Sequence, residues 1–241
     1  MAIFHQAVKS KDIEKSTLPF GDGKYVIKEG GKVKKALSFS QLQRLFKSDP
    51  LTSEQSIAKD FWFFSYFNNG MNMKDILALR FGQFGIDESG KQYFTFERTK
   101  TKNKDKESRI IKVYLDEFTK MVFSNPEYAN KRNGNPRQLV FKFISENDNI
   151  TVQYFKTKTF TRKVNQHIKK LAFANGLPID ISTYFARHTF ATGLKRNGTS
   201  ISYIQEALGH SNISTTQKYM AGFEDEEKME VAEKMYHNLI S

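Results

Sequence analysis

The alternation of apolar and polar positions changes period along this chain, and each change predicts a different kind of element. Two stretches open with a hydroxyl residue followed three positions later by glutamine, Ser38 with Gln41 and Thr52 with Gln55. That spacing is a capping box, and the apolar runs behind it predict two helix starts. The second run passes from Ile57 and Ala58 through Phe61-Trp62-Phe63-Phe64 to Tyr66-Phe67. It is apolar on nearly every face, which predicts a helix buried at the centre of the fold and closed by Asn69-Gly70. A shorter helical pattern follows, with Ile76, Leu77 and Leu79 apolar and Arg80 at its end.

The period then drops to two. Residues 93–98 and 109–115 are rich in β-branched and aromatic side chains and predict two strands of a hairpin. Between them lies T-K-T-K-N-K-D-K-E-S, without an apolar residue, as a long lysine-rich tip. A short helix over about 116–123 and a short strand over 139–143 come next. A longer helix carries Phe160, Val164, Ile168 and Leu171 on one stripe and is ended by Gly176 and Pro178. Its other faces hold Lys156, Lys158, Arg162, Lys163, Lys169 and Lys170, a set more often solvated than engaged.

Residues 182–219 contain three further short helical patterns. The first starts at a Ser182 cap, carries Ala186, Phe190 and Leu194, and stops at Gly198. The second follows Thr199 and Ser200, carries Ile201, Ile204 and Leu208 on one face, and stops at Gly209. The third opens at Ser211. Hydroxyl residues before the starts and glycines after the stops are the caps that helix ends require. Beyond them, Met229, Ala232, Tyr236 and Leu239 form one stripe of an amphipathic C-terminal helix with acids in its first turn.

Composition narrows the choice of partner. Lys plus Arg number 38 against 26 acids, a net charge of +12, with a pI near 9.6. Such a balance favours a polyanion, because neutralised phosphates release counterions. No apolar run reaches the roughly 18 residues of a membrane span, and no basic-then-apolar leader pattern is present. There is no cysteine, which excludes disulfides, thiolate metal ligands and a cysteine nucleophile. Twenty-two phenylalanines suffice for a sizeable core. The expectation is a mainly α-helical α+β fold with a small antiparallel sheet. Residues 1–35, with a possible short helix over 3–13 and a glycine- and lysine-rich remainder, are too few to bury a core of their own.

Candidate chemistry centres on Arg187, His210 and Tyr219. Arginine offers a planar fork of donors suited to phosphate oxygens. His210 sits in a turn between helices, where an imidazole can point out of the core. A tyrosine hydroxyl becomes a nucleophile once its target is held in line. Each residue alone is ordinary.

Together, R-H-T-F-A-T, L-G-H-S and T-T-Q-K-Y resemble the catalytic end of the tyrosine recombinases, the phage integrase family, in which a tyrosine stands nine residues after the histidine, as Tyr219 does after His210. The resemblance runs more loosely from about Ala36 to the C-terminus. It implies that residues 36–241 are a catalytic domain. It also implies that 1–35 are the last helix of an N-terminal DNA-binding domain followed by a basic linker. The implied reaction is cleavage and rejoining of double-stranded DNA through a covalent 3′-phosphotyrosyl link, with no metal and no cofactor. Tyr219 would be the nucleophile, and Arg187 and Arg80, the latter in an L-x-L-R setting, would hold the non-bridging oxygens. His210 would add a hydrogen bond to the same phosphoryl group. Lys100, from R-T-K-T in the hairpin tip, would protonate the leaving 5′ oxygen, with Lys102 as its competitor.

One position departs from the family. Many members carry histidine three residues before the second arginine, where this chain has Tyr184, a poor base near pH 7. Tyr184 is then a phosphate-binding or orienting residue, the general base is left unassigned, and His188 is expected to be a buried structural residue. The resemblance further implies a tetramer on DNA, a C-terminal helix that docks on a neighbouring copy or on its own domain, and a cytoplasmic protein. A type IB topoisomerase and a non-catalytic DNA-binding relative are the alternatives. The L-G-H-S turn, its spacing to Tyr219 and the complete residue set favour the recombinase.

Overall fold

The structure, a computed structural model, describes residues 2–20, 24–25, 36–98, 110–177, 180–210 and 216. Residues 1–34 and 35–241 form two separate units. In the first, helix α1 (Ala2–Lys9) is shorter than the 3–13 pattern suggested, and Lys11 just beyond it takes a positive φ of 63°. A single 3-10 turn (Lys15–Thr17) follows. Phe20 meets the edge of Phe4 at 5.7 Å, a small contact suited to so short a segment.

The second unit has the mainly helical α+β architecture that the periodicity predicts. Helix α2 (Phe39–Lys47) begins with a full capping box between Ser38 and Gln41. Helix α3 (Ser53–Phe67) keeps half of the expected box. The Thr52 hydroxyl accepts from Gln55 N at 3.2 Å, but the Gln55 side chain reaches one residue further back and accepts from Leu51 N at 2.8 Å. As its all-round apolar surface demands, α3 is the buried centre, with Phe61, Trp62, Phe63 and Phe64 enclosed. Phe61 meets the rings of Tyr128, Phe141, Phe143 and Phe160 edge-on at centroid distances of 4.9–5.4 Å. Aromatic pairs in this geometry add to the burial of apolar area.

Helix α4 (Met73–Leu77) is one short turn. Three antiparallel strands follow in the order β1 (Phe84–Ile86), β2 (Gln92–Glu97) and β3 (Ile110–Tyr114), with Phe94 opposite both Phe84 and Val113. The hairpin β2–β3 matches expectation. Strand β1 went unread because three residues are too few to show a period. The strand expected over 139–143 does not form. Leu139 and Phe141 make isolated bridges to Arg80 and Ala129 instead, so their apolar side chains enter the core from a loop.

Helix α5 (Glu117–Ser124) is capped by Asp116, whose carboxylate accepts from Thr119 N at 2.6 Å. The long helix α6 (Ile150–Ala174) buries Phe160, Val164, Ile168 and Leu171 and packs on α3. Gly176, at φ +68°, reverses the chain after it. Helices α7 (Thr183–Arg196) and α8 (Ile201–Leu208) complete the described fold. Trp62 Nε1 donates to Ser182 O at 2.9 Å and ties the start of α7 to the central helix. On α8, Ile204 and Leu208 are buried, but Ile201 is exposed because it lies in the first turn. Among the described residues no helix is long and apolar enough to cross a membrane.

Candidate active site

Arg187 sits mid-way along α7 with 4% of its surface exposed. Its guanidinium is held by two backbone carbonyls, Nη1 donating to Gly70 O at 3.1 Å and Nη2 to Leu208 O at 2.9 Å. Both acceptors come from chain reversals that follow a helix. The Leu208 carbonyl lies in the last turn of α8, where helical carbonyls lack an intrahelical donor, and Gly209 leaves that helix in the left-handed region, at φ 59°. Gly70, at φ +60°, turns the chain after α3 directly against α7. A Cβ at Gly70 would stand 2.8–3.0 Å from the Cγ, Cα and Cβ of Arg187. Only glycine allows this approach, so the residue that closes α3 also sets the seat of Arg187.

His210 follows the Gly209 turn and is 8% exposed. The turn would let an imidazole face outward, but the ring points inward. Its Nε2 is 2.7 Å from Arg187 Nη2 and its Nδ1 is 2.9 Å from Thr216 Oγ1. Arginine has no acceptor, so Nε2 is the accepting nitrogen and the proton sits on Nδ1, donating to Thr216. Burial, and secondly the adjacent Arg187 charge, push the imidazole down to about 4. The ring is therefore neutral at pH 7. Gln205 secures the turn from both sides, its carbonyl accepting from His210 N and its side-chain amide donating to His210 O.

The remaining candidates are distributed unevenly. Arg80 is not at the end of α4, which stops at Leu77, but at the start of a 3-10 turn over Phe81–Gln83. It is extended, bridged to Leu139, and its Nη1 donates to Arg137 O. Tyr184 is 47% exposed on the outer part of α7. Its ring stands edge-on to His188 one turn later, with centroids 4.2 Å apart. His188 is accordingly half-buried beside Tyr184 rather than a core residue. Tyr219, Lys100, Lys102, most of the third helical pattern and the C-terminal amphipathic stripe lie outside the described residues. Of the α6 cations, Lys156 pairs with Asp148 at 2.7 Å and Lys169 with Asp180.

Two residues at the site were not singled out from the sequence. Thr216 is fully buried against His210, and nothing in a T-T-Q pattern marks which threonine turns inward. Arg98 is 8% exposed, and its Nη2 approaches Gly70 O at 3.5 Å. A signal for it did exist. Period two carries the buried face of β2 from Phe94 through Phe96 to position 98, so a cation falls on the inward side of the strand.

Residues 35–226 match the phage integrase family. The tyrosine recombinase XerC of Listeria welshimeri is 33% identical over 82 residues, which are 34% of this chain and 27% of that protein. The chain thus spans about a quarter of the length of such relatives. Among solved structures, the Tn1549 transposon integrase in complex with transposon right end DNA superposes with a TM-score of 0.55 at 20% identity. That match covers 98% of this chain and 76% of the other. XerA recombinase gives 0.53 at 21% identity over 83% and 64%. At these identities the structures establish a shared fold.

Proposed function

The chain belongs to the phage integrase family, and from that premise we propose that it is a site-specific DNA recombinase acting through a covalent 3′-phosphotyrosyl intermediate. The observation that carries this reading is the buried Arg187–His210 pair. It sets a permanent cation and a neutral imidazole at the end of α8, nine residues before Tyr219. The Tn1549 integrase, whose fold this chain shares, is in complex with transposon DNA, and the net charge of +12 suits the same partner.

In the proposed reaction the Tyr219 hydroxyl oxygen attacks the scissile phosphorus as its proton departs, and the bond from phosphorus to the 5′ oxygen breaks. Lys100, or Lys102 in the same tip, supplies the proton that the leaving oxygen takes up. Arg187 holds a non-bridging oxygen, and His210, whose Nε2 accepts from Arg187 Nη2, orients that guanidinium. Phosphoryl transfer depends mainly on positioning and charge stabilisation, so guanidinium groups take the part that metal ions play in other enzymes. The bond energy is retained in the phosphotyrosine, and the reverse attack by a 5′ hydroxyl rejoins the strand without a cofactor. Exchange between two duplexes calls for four copies, and a DNA partner fits a cytoplasmic location.

Covalent trapping tests the reading. A randomised pool of nicked duplexes, whose cleaved fragment diffuses away, is incubated with the wild type and with Tyr219→Phe and resolved under denaturing conditions. A protein–DNA adduct formed by the wild type and absent from the variant is the expected result. Salt-sensitive binding without any adduct would remove the enzymatic reading and leave a DNA-binding protein.

A further inference from the structure

Residues 131–137, K-R-N-G-N-P-R, are all exposed, yet the loop they form is fixed by its own amides. Asn133 Oδ1 accepts from Asn135 N at 3.0 Å, and Asn135 Oδ1 accepts from Arg137 N at 2.9 Å. Gln138 spans the loop, its side chain accepting from Asn133 N at 2.9 Å and donating to Lys131 O at 3.0 Å. Asn130 closes the base, donating from Nδ2 to Leu139 O at 3.0 Å and from N to Val140 O at 2.7 Å. Holding exposed backbone in one conformation costs entropy, and no burial of apolar area within the tip offsets it. Order of this kind in a surface loop points to a task.

The loop lies along the segment that carries Arg80. Phe81 N donates to Gln138 O at 3.0 Å and Gly82 N to Pro136 O at 2.8 Å. The Arg132 guanidinium lies over the Phe81 ring, 5.9 Å from its centre. A Cβ at Gly82 would stand 2.7 Å from Pro136 O, so only glycine lets the two segments run this close. From the other side the Gln83 side chain accepts from Arg80 N at 2.7 Å and donates to Thr95 O of β2 at 2.9 Å. The backbone of Arg80 is thus fixed from both directions. Its Nη1 donates to Arg137 O, in the residue whose N–H is held by Asn135. A carbonyl orients a guanidinium without cancelling its charge and leaves the other N–H groups of the fork for an anion. Arg187 is seated in the same manner, by Gly70 O and Leu208 O.

We infer that the loop over 130–138 positions Arg80 for catalysis. Asn135 and Gly82 fix the Arg137 carbonyl, and that carbonyl aims the Arg80 guanidinium at a non-bridging oxygen of the scissile phosphodiester. Asn135 and Gly82 are positioning residues that act through Arg80. The inference rests on the strand-transfer reading above, in which Arg80 shares the phosphoryl group with Arg187, and deepens it.

The test uses the sequence trapped from the randomised pool by the wild-type protein. Single-turnover cleavage at saturating protein and duplex affinity are measured separately for Asn135→Ala, Gly82→Ala, Arg80→Ala and the two double variants. Asn135→Ala removes only an exposed acceptor and should melt as the wild type does. Each loop variant should cleave roughly 10–100-fold more slowly, the cost of a displaced catalytic group, with duplex affinity unchanged. In the Arg80→Ala background neither substitution should slow cleavage further, because the group through which the loop acts is gone. A merely structural role would slow both backgrounds by the same factor, and that result overturns the inference. Wild-type-like cleavage by either loop variant overturns it as well. So does a loss of affinity at an unchanged rate, which would make the loop a DNA-binding element alone. If Arg80→Ala itself cleaves as the wild type does, the inference fails while the strand-transfer reading stands. If the wild type forms no adduct with any sequence of the pool, that reading fails and the inference falls with it.

Discussion

Nη2 of Arg187 lies 2.7 Å from Nε2 of His210, and the two side chains act as one unit. The arginine donates to Gly70, Leu208 and the imidazole, and the imidazole donates its Nδ1–H to Thr216. Lysine cannot reproduce a fork that serves three acceptors. Arg187→Lys should therefore slow covalent cleavage roughly 100–1,000-fold, measured by single-turnover trapping, with DNA affinity changed far less.

The same pair makes stability depend on pH. Folded His210 is pushed down to about 4 from an ordinary 6.5, so between those values the unfolded chain holds the extra proton. The stability due to this group is complete above pH 6.5 and is lost as pH falls toward 4, with a slope of at most about 1.4 kcal/mol per pH unit. Urea unfolding of the wild type and His210→Gln between pH 4.5 and 7.5 isolates the effect. The difference between the two curves should narrow on the acid side, and a constant offset would contradict the buried neutral imidazole.

Gly70→Ala separates the site from the fold. The added Cβ meets Arg187 backbone and side-chain atoms at 2.8–3.0 Å, and the residue is also held at φ +60°. A non-glycine residue at positive φ costs about 1–2 kcal/mol, and the close contacts add to that. Cleavage should fall by more than the loss of stability explains, because the carbonyl that seats Arg187 moves with the turn. Thermal melting and trapping on the same preparations check both parts.

Away from the site, Tyr128 is the residue to test. Its buried hydroxyl donates to Asp60 at 2.6 Å, and burial raises the Asp60 carboxyl above its usual range although the hydrogen bond opposes this. Tyr128→Phe keeps the ring in the Phe61 cluster and strands the carboxylate without that donor. A loss of about 1–3 kcal/mol follows from removing a hydrogen bond to a half-buried carboxylate. The loss should shrink at acid pH, where protonation relieves the buried charge. Cleavage by the folded variant should be unaltered.

What the sequence by itself determined were the features that repeat along the chain. The all-round apolar run of α3, the stripe of α6, the alternation in β2 and β3, and the caps at Ser38, Thr52 and Ser200 are local. Each is set by a period of 3.6 or 2, or by the need of a helix end for a donor or acceptor. The L-G-H-S turn and its spacing to Tyr219 were legible in the same way, and they sufficed to identify the family. Only the tertiary structure decided which side chains converge. Leu139 and Phe141 are as apolar as strand residues, yet each makes an isolated bridge, to Arg80 and to Ala129, and no ladder. His210 turns inward where Arg187, 23 residues before it, and Thr216, six residues after it, offer partners. Arg80 and Arg98 are both arginines beside apolar neighbours. The backbone oxygen of Gly70, 28 residues from Arg98 and 117 from Arg187, is what distinguishes them, and an interaction of that range leaves no period in a sequence.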